Sequence, residues 1–136
     1  MTPHQSASSF FVFSKDLNYG GTLFGGKLLA EMDCEASKVA RSVVHGSGAD
    51  GVVTACFDRV DFRAPARVGD LVVIEADLRG LGTTSMVIAL DAWVKVGPRR
   101  ADWTHICSAT ATFVAMRGGR PHPHGGRLEG TPTKND

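Results

Sequence analysis

The chain has 136 residues, of which 43% are hydrophobic and 21% are charged, an ordinary mixture for one globular domain with a single core. Its formal net charge of +1 argues against a protein that is held to nucleic acid mainly by phosphate contacts. No stretch approaches the roughly 20 apolar residues of a membrane helix, and "FFVF" is too short for a signal peptide. The cysteines have no paired or metal-like spacing and indicate reduced thiols, so we expect a soluble cytoplasmic protein: Cys34, Cys56 and Cys107.

The first part of the chain predicts one strand followed by one long helix. Residues 1–7 are polar and are predicted to form a flexible N-terminus, and "SSFFVFS" is typical of a short strand. After the loop "KDLNYGG", apolar residues recur at every third or fourth position between Gly25 and about Val44, the spacing of an amphipathic helix. Five charged residues of this segment lie off the apolar stripe: Lys27, Glu31, Glu35, Lys38 and Arg41. The glycines of "HGSGADG" end the helix.

The rest of the chain predicts consecutive strands and then a tail. Four β-rich segments are separated by turns at hairpin-like distances: "VVTACFDRVDF", "LVVIEADL", "SMVIALDAWVKV" and "WTHICSATATFVAM". Residues 117–136 are rich in glycine, proline and charge without periodicity and are predicted to be a disordered tail. Consecutive strands joined by hairpins form an antiparallel sheet, and one helix covers only one of its faces. We therefore predict one α+β domain over residues 8–116.

The segment "GGTLFGGKLL" at residues 20–29 nearly matches a phosphate-binding loop. Gly21, Gly26 and Lys27 fit the pattern, but Leu28 stands where a magnesium-binding Ser or Thr is needed. That loop also belongs to parallel sheets in which strands and helices alternate, and the predicted order of elements excludes such a sheet. The phosphate-loop interpretation fails.

Asp33 is an unusual residue for its position on the predicted helix. It lies at the edge of the apolar stripe, where a carboxylate costs helix propensity and desolvation unless something uses it. At the helix start, Gly25 and Gly26 leave backbone N–H groups open to a carbonyl oxygen that gains negative charge during a reaction. Gly25 and Asp33 are roughly 12 Å apart along the axis, so either the substrate is long or a second protomer completes the site. The alternative role of Asp33 is that of a structural hydrogen-bond acceptor.

These residues resemble the signature of the hotdog-fold acyl-CoA thioesterases. "DLNYGGTLFGGKLLAEMDCEASKVA" is similar to the family pattern D-x-N…G-x-[LIV]-[FH]-G-G…[ML]-D, "VVTACFDRVDFRAPARVGD" to V-T-A…D-x-[VI]-x-F-x-x-P…G-D, and "GTTSM" to the G-x-[TS]-S-M turn. The resemblance covers residues 9 to 116 approximately. It implies a long helix wrapped by a strongly curved antiparallel sheet of about five strands. It also implies homodimers with a continuous sheet, often assembled as trimers of dimers, with active sites at the dimer interface.

The resemblance further implies an activity and the residues that perform it. Family members hydrolyse acyl-CoA to free CoA and a carboxylic acid without a metal or other cofactor. The family's essential acid corresponds to Asp33, and its helix-start amides correspond to Gly25 and Gly26. Thr22 stands where several relatives have Asn or Asp, and Asn18 or Thr22 is predicted to position water or the substrate carbonyl. Asp33 acts either as a general base on water or by direct attack through an anhydride.

Coenzyme A carries phosphates, so we expect cations near its binding site. Arg63 and Arg67 flank the F-x-x-P turn and are predicted to bind substrate, and Thr84 and Ser85 are predicted to line the pantetheine path. Three further arginines are weaker candidates: Arg59, Arg99 and Arg100. The spacing of the histidines and cysteines predicts no metal site.

Two other functions stay open at this point. Hotdog folds also host acyl hydratases and dehydratases, which pair a carboxylate with a nearby His. His45 and His105 both lie away from the helix start, and this disfavours that chemistry. The second alternative is a non-catalytic acyl-CoA sensor, which the departure at Thr22 keeps open.

Overall fold

The computed structural model describes residues 4–128 and contains one long helix and an antiparallel sheet. The main elements are β1 (Gln5–Phe11), α1 (Gly25–Val44), β2 (Gly51–Phe62), β3 (Leu71–Leu81), β4 (Ser85–Val94), β5 (Thr104–Arg117) and β6 (Arg120–Pro121). Two short 3-10 turns lie at Ser14–Asp16 and Arg100–Asp102. The strand order is β1-β3-β4-β5-β2, and β6 pairs with β5. All pairings are antiparallel.

The core lies between α1 and one face of the sheet. Strands β3 and β4 alternate buried and partly buried residues, as strands with one face on a core do. The helix contributes an apolar stripe of residues three and four apart: Leu28, Met32, Ala36, Val39, Ala40 and Val43. The sheet contributes the facing side chains: Val72, Ile74, Met86, Ile88, Leu90, Ile106 and Phe113. The predicted α+β hotdog architecture, a long helix against a curled antiparallel sheet of five main strands, is confirmed.

One buried helix residue differs from the expected pattern. Glu35 is only 1% exposed, although the helical periodicity leaves it off the apolar stripe. It accepts hydrogen bonds from the hydroxyl groups of Ser6 and Ser8 on β1 and from Lys38 Nζ at 3.0 Å. The carboxylate is buried because β1 covers that side of the helix and supplies donors.

Strand β2 is an edge strand with irregular pairing. Its register against β5 shifts between Thr54 and Cys56 and again between Asp58 and Asp61, and Arg59 adopts a φ of 53° within the second irregularity. Within the described residues, β2 pairs on one side only, which leaves its other edge open. An open strand edge is a template for pairing with another chain.

The N-terminal boundary differs from the prediction. Strand β1 begins at Gln5, so the described residues 5–7 are paired with β3 rather than flexible. Their backbone groups bond to a neighbouring strand, which polar side chains do not prevent. The prediction for residues 1–3 lies outside the described residues.

The described part of the tail, residues 117–128, is also ordered against the domain. Arg117 and Arg120 pair across a turn at Gly118 and Gly119, both of which have positive φ. The His124 ring is 4% exposed, contacts Gly82 O at 2.6 Å through Nε2, and accepts the Gly126 N–H through Nδ1 at 2.9 Å. The sequence predicts a disordered tail here, whereas in the structure hydrogen bonds rather than an apolar stripe connect these described residues to the domain. Residues 129–136 lie outside the described part of the chain.

No helix among residues 4–128 is long and apolar enough to cross a membrane.

Candidate active site

The start of α1 is a helix end without a side-chain cap. The N-cap residue is Phe24, whose carbonyl accepts the Leu28 N–H at 3.1 Å, and no side chain caps the first turn. The N–H groups of Gly25, Gly26 and Lys27 therefore point out of the helix without a helical acceptor. These groups carry the positive end of the helix dipole and suit an oxygen that gains negative charge.

The space beside the two glycines is occupied by aromatic rings. A Cβ added at Gly25 would lie 3.2 Å from Phe62 Cζ, and one added at Gly26 would lie 2.5 Å from Phe24 Cε2. We expected glycines to leave open space for a substrate. Their small size instead accommodates two phenyl rings.

Asn18 and Thr22 form one tight turn directly before the helix. Thr22 N donates to Asn18 Oδ1 at 3.1 Å, Asn18 Nδ2 donates to Thr22 Oγ1 at 3.1 Å, and Asn18 N donates to Thr22 O at 2.7 Å. Gly21, with a φ of 84°, completes the turn. The structure thus brings these two predicted residues together. They bond to each other, and this holds both side chains in one orientation.

Asp33 lies about two turns further along α1 and is partly buried. Its Oδ1 atom accepts a hydrogen bond from Thr54 Oγ1 on β2 at 2.6 Å. Among the described residues this is its only hydrogen-bond partner, and no cation pairs with it. The carboxylate is therefore oriented through one oxygen, while Oδ2 is left without a protein partner.

Thr54 is the residue that the sequence interpretation missed. A threonine in a β-strand is ordinary, and no spacing argument connects position 54 with position 33. The available signal was the V-T-A part of the resemblance, which contains Thr54.

The predicted substrate-binding residues lie apart from Asp33. Arg63 follows Phe62 but faces away from the helix, because its Nη2 atom lies 3.2 Å from Ser108 Oγ and 3.2 Å from Asp61 Oδ2. Arg67 is exposed, and its backbone N–H bonds to Asp70.

Thr84 lies in the β3–β4 turn, and Ser85 is the first residue of β4. Thr84 O accepts the Ala115 N–H at 2.8 Å, and Ser85 O accepts the Gly82 N–H at 3.0 Å. Both backbone contacts are internal to the sheet and its turn. No described contact connects these two residues with Asp33.

The other candidate arginines differ in how far they are engaged. Arg100 forms a forked pair with Glu75 and lies 4.7 Å from the centre of the Trp93 ring, while Arg99 pairs with Asp102. Arg59 borders a surface cavity of about 510 Å³ on the sheet face that points away from α1. That cavity is also lined by Asp61, Arg63, Asp91, Ser108 and Thr110.

Within residues 4–128, no three His, Cys, Asp or Glu side chains form a group that could bind a metal ion.

His105 lies on the outer face of the sheet. It stacks on Trp93 with ring centres 4.3 Å apart and bonds to Asp91 Oδ1 at 2.8 Å. It is thus committed to the sheet face opposite the helix and cannot act beside Asp33.

Comparisons with known proteins agree on one family. A family model described as the thioesterase superfamily matches residues 20–101. The acyl-CoA thioester hydrolase YciA of Escherichia coli strain K12 is 38% identical over 80 residues, which are 59% of this chain and 58% of that protein. The matched part thus spans less than two thirds of this curated relative.

Solved structures of similar proteins are also hydrolases of acyl-CoA. An apo hexameric acyl-CoA thioesterase is 31% identical, with a TM-score of 0.76 over 89% of this chain and 75% of that one. The Staphylococcus aureus acyl-CoA hydrolase in complex with butyryl coenzyme A, coenzyme A and coenzyme A disulfide is 29% identical, with a TM-score of 0.80 over 89% of this chain and 71% of that one. The S. aureus protein has also been solved with an aspartate, a threonine or an asparagine replaced by alanine.

Proposed function

The chain belongs to the thioesterase superfamily, and from that premise we propose that it hydrolyses acyl-CoA thioesters to free CoA and a carboxylic acid. The observation that carries the proposal is the contact between Thr54 Oγ1 and Asp33 Oδ1, which orients one carboxylate oxygen and leaves the other open to water. The aspartate, threonine and asparagine replaced in the S. aureus hydrolase are the residue types of Asp33, Thr54 and Asn18. That agreement in type supports the assignment.

In the proposed mechanism, Asp33 is the general base. Its Oδ2 atom takes a proton from water while the water oxygen bonds to the thioester carbon. The tetrahedral intermediate then collapses, the carbon–sulfur bond breaks, and the proton passes to the leaving sulfur, which gives the CoA thiol and the acid. Direct attack by the carboxylate, followed by hydrolysis of an anhydride, uses the same geometry. Neither route requires a metal or a redox cofactor.

The N–H groups of Gly25 and Gly26 are the proposed stabilisers of the oxyanion. Because these glycines and Asp33 lie on one helix roughly 12 Å apart, the two parts of a single chain do not converge on one thioester carbon. We therefore infer a homodimer in which Asp33 of one protomer faces the helix start of the other. The open edge of the twelve-residue strand β2 is the proposed pairing surface.

The turn formed by Asn18 and Thr22 then approaches the partner's Asp33. Asn18 and Thr22 are the proposed groups that orient the water or the carbonyl oxygen. A trimer of such dimers is the proposed complete assembly, because similar thioesterases are hexameric. A cytoplasmic location is proposed from the free state of the three thiols in the described chain.

Binding of coenzyme A is proposed from the bound ligands of the S. aureus hydrolase. Arg63 and Arg67 are the proposed contacts to its phosphates, and Thr84 and Ser85 are proposed to line the pantetheine arm. Arg63 can serve only a part of the ligand that reaches the outer face of the sheet, because its side chain bonds to Ser108 there.

A thiol-release assay tests the proposed function. The full chain is incubated with acyl-CoA esters of increasing length, and free CoA is measured with a thiol reagent. We expect release above the uncatalysed rate with at least one ester. Hydration of crotonyl-CoA, measured in parallel, is expected to be absent because no His of residues 4–128 bonds to Asp33. Binding of acyl-CoA without thiol release would contradict hydrolysis and would favour an acyl-CoA sensor.

A further inference from the structure

The segment of residues 120–126 lies across the turn between β3 and β4, and His124 is the residue that joins them. Its backbone N–H donates to Thr83 O at 3.2 Å, and its ring contacts Gly82 O through Nε2 at 2.6 Å. A carbonyl oxygen only accepts a hydrogen bond, so the ring donates through Nε2. One residue thus holds two consecutive carbonyl groups of the turn.

The His124 ring is itself fixed through both of its nitrogen atoms. Nδ1 accepts the Gly126 N–H at 2.9 Å, and the residue is only 4% exposed. Gly126 in turn packs so closely on the end of α1 that an added Cβ would lie 2.5 Å from Val43 Cγ1. The ring therefore connects the turn to the end of the helix, and it cannot rotate without breaking hydrogen bonds at both nitrogens.

The turn combines a fixed backbone with open hydroxyl groups. The next carbonyl, Thr84 O, accepts the Ala115 N–H at 2.8 Å, so all three turn carbonyls from Gly82 onward are occupied. Within the part of the chain that the structure describes, neither Thr84 Oγ1 nor Ser85 Oγ hydrogen-bonds to another residue. Ser85 Oγ lies against Gly82, the residue whose carbonyl His124 holds. Such hydroxyls are oriented in advance for a polar ligand.

We propose that His124 is a positioning residue for coenzyme A, because it holds the turn so that the hydroxyls of Thr84 and Ser85 bind the amide groups of the pantetheine arm. The inference rests on the proposed function, which places that arm along these two residues, and adds to it a residue of the C-terminal segment. A hydroxyl can donate to an amide carbonyl or accept from an amide N–H. Groups that are already fixed lose less conformational freedom when the ligand binds.

His122 gives an internal comparison for this role. It lies on the same segment, and its Nε2 atom contacts Ser47 O at 3.1 Å in the loop after α1. Among residues 4–128, no hydrogen bond joins the His122 side chain to the turn. Loss of either ring removes a contact that holds the segment, but only loss of the His124 ring frees Gly82 O. The two histidines therefore separate a role in substrate binding from a role in stability.

The test measures KM and kcat for butyryl-CoA in the wild type and in His124→Ala, with His122→Ala as the matched control. We expect the KM to rise about tenfold in His124→Ala, and the loss to appear in KM rather than in kcat, because the hydroxyls bind ground state and transition state alike. His122→Ala should raise the KM by less than about twofold. His124→Gln, whose amide can still donate to Gly82 O, should recover most of the affinity. Equal increases in the two alanine variants would overturn the inference.

Two further comparisons distinguish positioning from a general loss of structure. The butyryl thioester of mercaptoethanol has no amide groups, so the ratio of kcat/KM for butyryl-CoA to that for this ester should fall about tenfold in His124→Ala. A variant with Thr84→Val and Ser85→Ala should also have a raised KM for butyryl-CoA, and adding His124→Ala to it should change the KM little, because His124 acts through those hydroxyls. An unchanged ratio, or fully additive effects, would contradict the inference. If His124→Ala does not fold, an unchanged KM in the hydroxyl variant contradicts it equally.

A binding experiment separates this inference from the proposed hydrolysis. Calorimetry measures the affinity of free CoA for Asp33→Asn and for Asp33→Asn with His124→Ala, and it requires no turnover. An affinity about tenfold weaker in the second variant supports the inference even if the wild type releases no thiol from acyl-CoA, in which case only hydrolysis fails. Equal affinities overturn the inference while hydrolysis stands. If CoA does not bind to Asp33→Asn, the pantetheine site is absent and the inference fails.

Discussion

Two carboxylates, two residues apart on α1, have opposite environments. Asp33 faces β2, is partly exposed, and accepts one hydrogen bond from Thr54. Glu35 faces β1, is 1% exposed, and accepts hydrogen bonds from Ser6, Ser8 and Lys38. Since about 100° separates successive helix residues, these positions point to different sides of the helix. The helix thus presents Asp33 to the edge strand β2 and Glu35 to the buried contact between the helix and β1.

The environment of Glu35 shifts its pKa. Burial is the largest influence and acts to raise the pKa, but the hydrogen bonds from Ser6 and Ser8, together with the hydrogen bond and charge of Lys38, outweigh it and lower the pKa below 4.5. Glu35 is therefore held ionised, with its oxygen atoms occupied. It fastens β1 to the helix, and both of its oxygen atoms accept hydrogen bonds from the protein.

The comparison separates a structural acid from the acid that we propose as the general base. Several hydrogen-bond donors stabilise the ionised form of a carboxylate and lower its basicity. Asp33 receives one donor, which orients it and leaves its second oxygen without a protein partner among the described residues. Burial alone would have selected Glu35 as the functional residue. The number of donors and the access to each oxygen favour Asp33, as proposed above.

The largest expected effect separates the roles of the two acids. We expect Asp33→Asn to lower kcat for acyl-CoA hydrolysis by about a thousandfold, since the general base is lost, and to leave the melting temperature within a few degrees of wild type. Thiol release and thermal unfolding monitored by circular dichroism measure the two quantities. Full activity in this variant would remove Asp33 from the mechanism.

Removing Glu35 should lower the stability of the fold and leave the rate of hydrolysis largely unchanged. We expect Glu35→Ala to destabilise the fold by about 3 kcal/mol, because three donors lose a buried acceptor, while hydrolysis continues at temperatures where the protein is folded. Urea unfolding gives the free energy. The control is Glu31→Ala, which removes a partly exposed i,i+4 pair with Lys27 and should cost about 0.5 kcal/mol or less. Equal destabilisation by both variants would show that burial of Glu35 contributes nothing.

The smallest expected effect is a change in the pH dependence of stability. Because the pKa of Glu35 is lowered in the folded state, its stabilisation is fully present above 4.5 and is lost as the pH falls through the folded-state value. Glu35→Gln, which has no such titration, should therefore lose less stability than wild type between about pH 5 and pH 3. Urea unfolding at several pH values measures this, and parallel curves for the two proteins would contradict it.

Patterns within single elements were predicted from the sequence, whereas contacts between elements were not. The helix over 25–44 and the strand after it follow from local periodicity, which each segment carries alone. The sequence placed Glu35 off the apolar stripe, and its burial depends on β1, a strand that is distant in sequence. Thr54 was missed for the same reason. The described tail residues were predicted to be disordered because their order depends on carbonyl groups of other segments, such as Gly82 O, which His124 contacts.

By itself, the sequence determined the order of elements, the family and the unusual position of Asp33, because apolar periodicity, turn residues and short motifs are local properties. Only the tertiary structure decided which strand faces each side of the helix. In this arrangement Thr54 donates a hydrogen bond to Asp33, three donors bond to Glu35, and the Phe62 ring packs against Gly25. The physical reason is that hydrogen bonds and steric contacts depend on distances in space, and residues far apart along the chain come within those distances only after the sheet has closed on the helix.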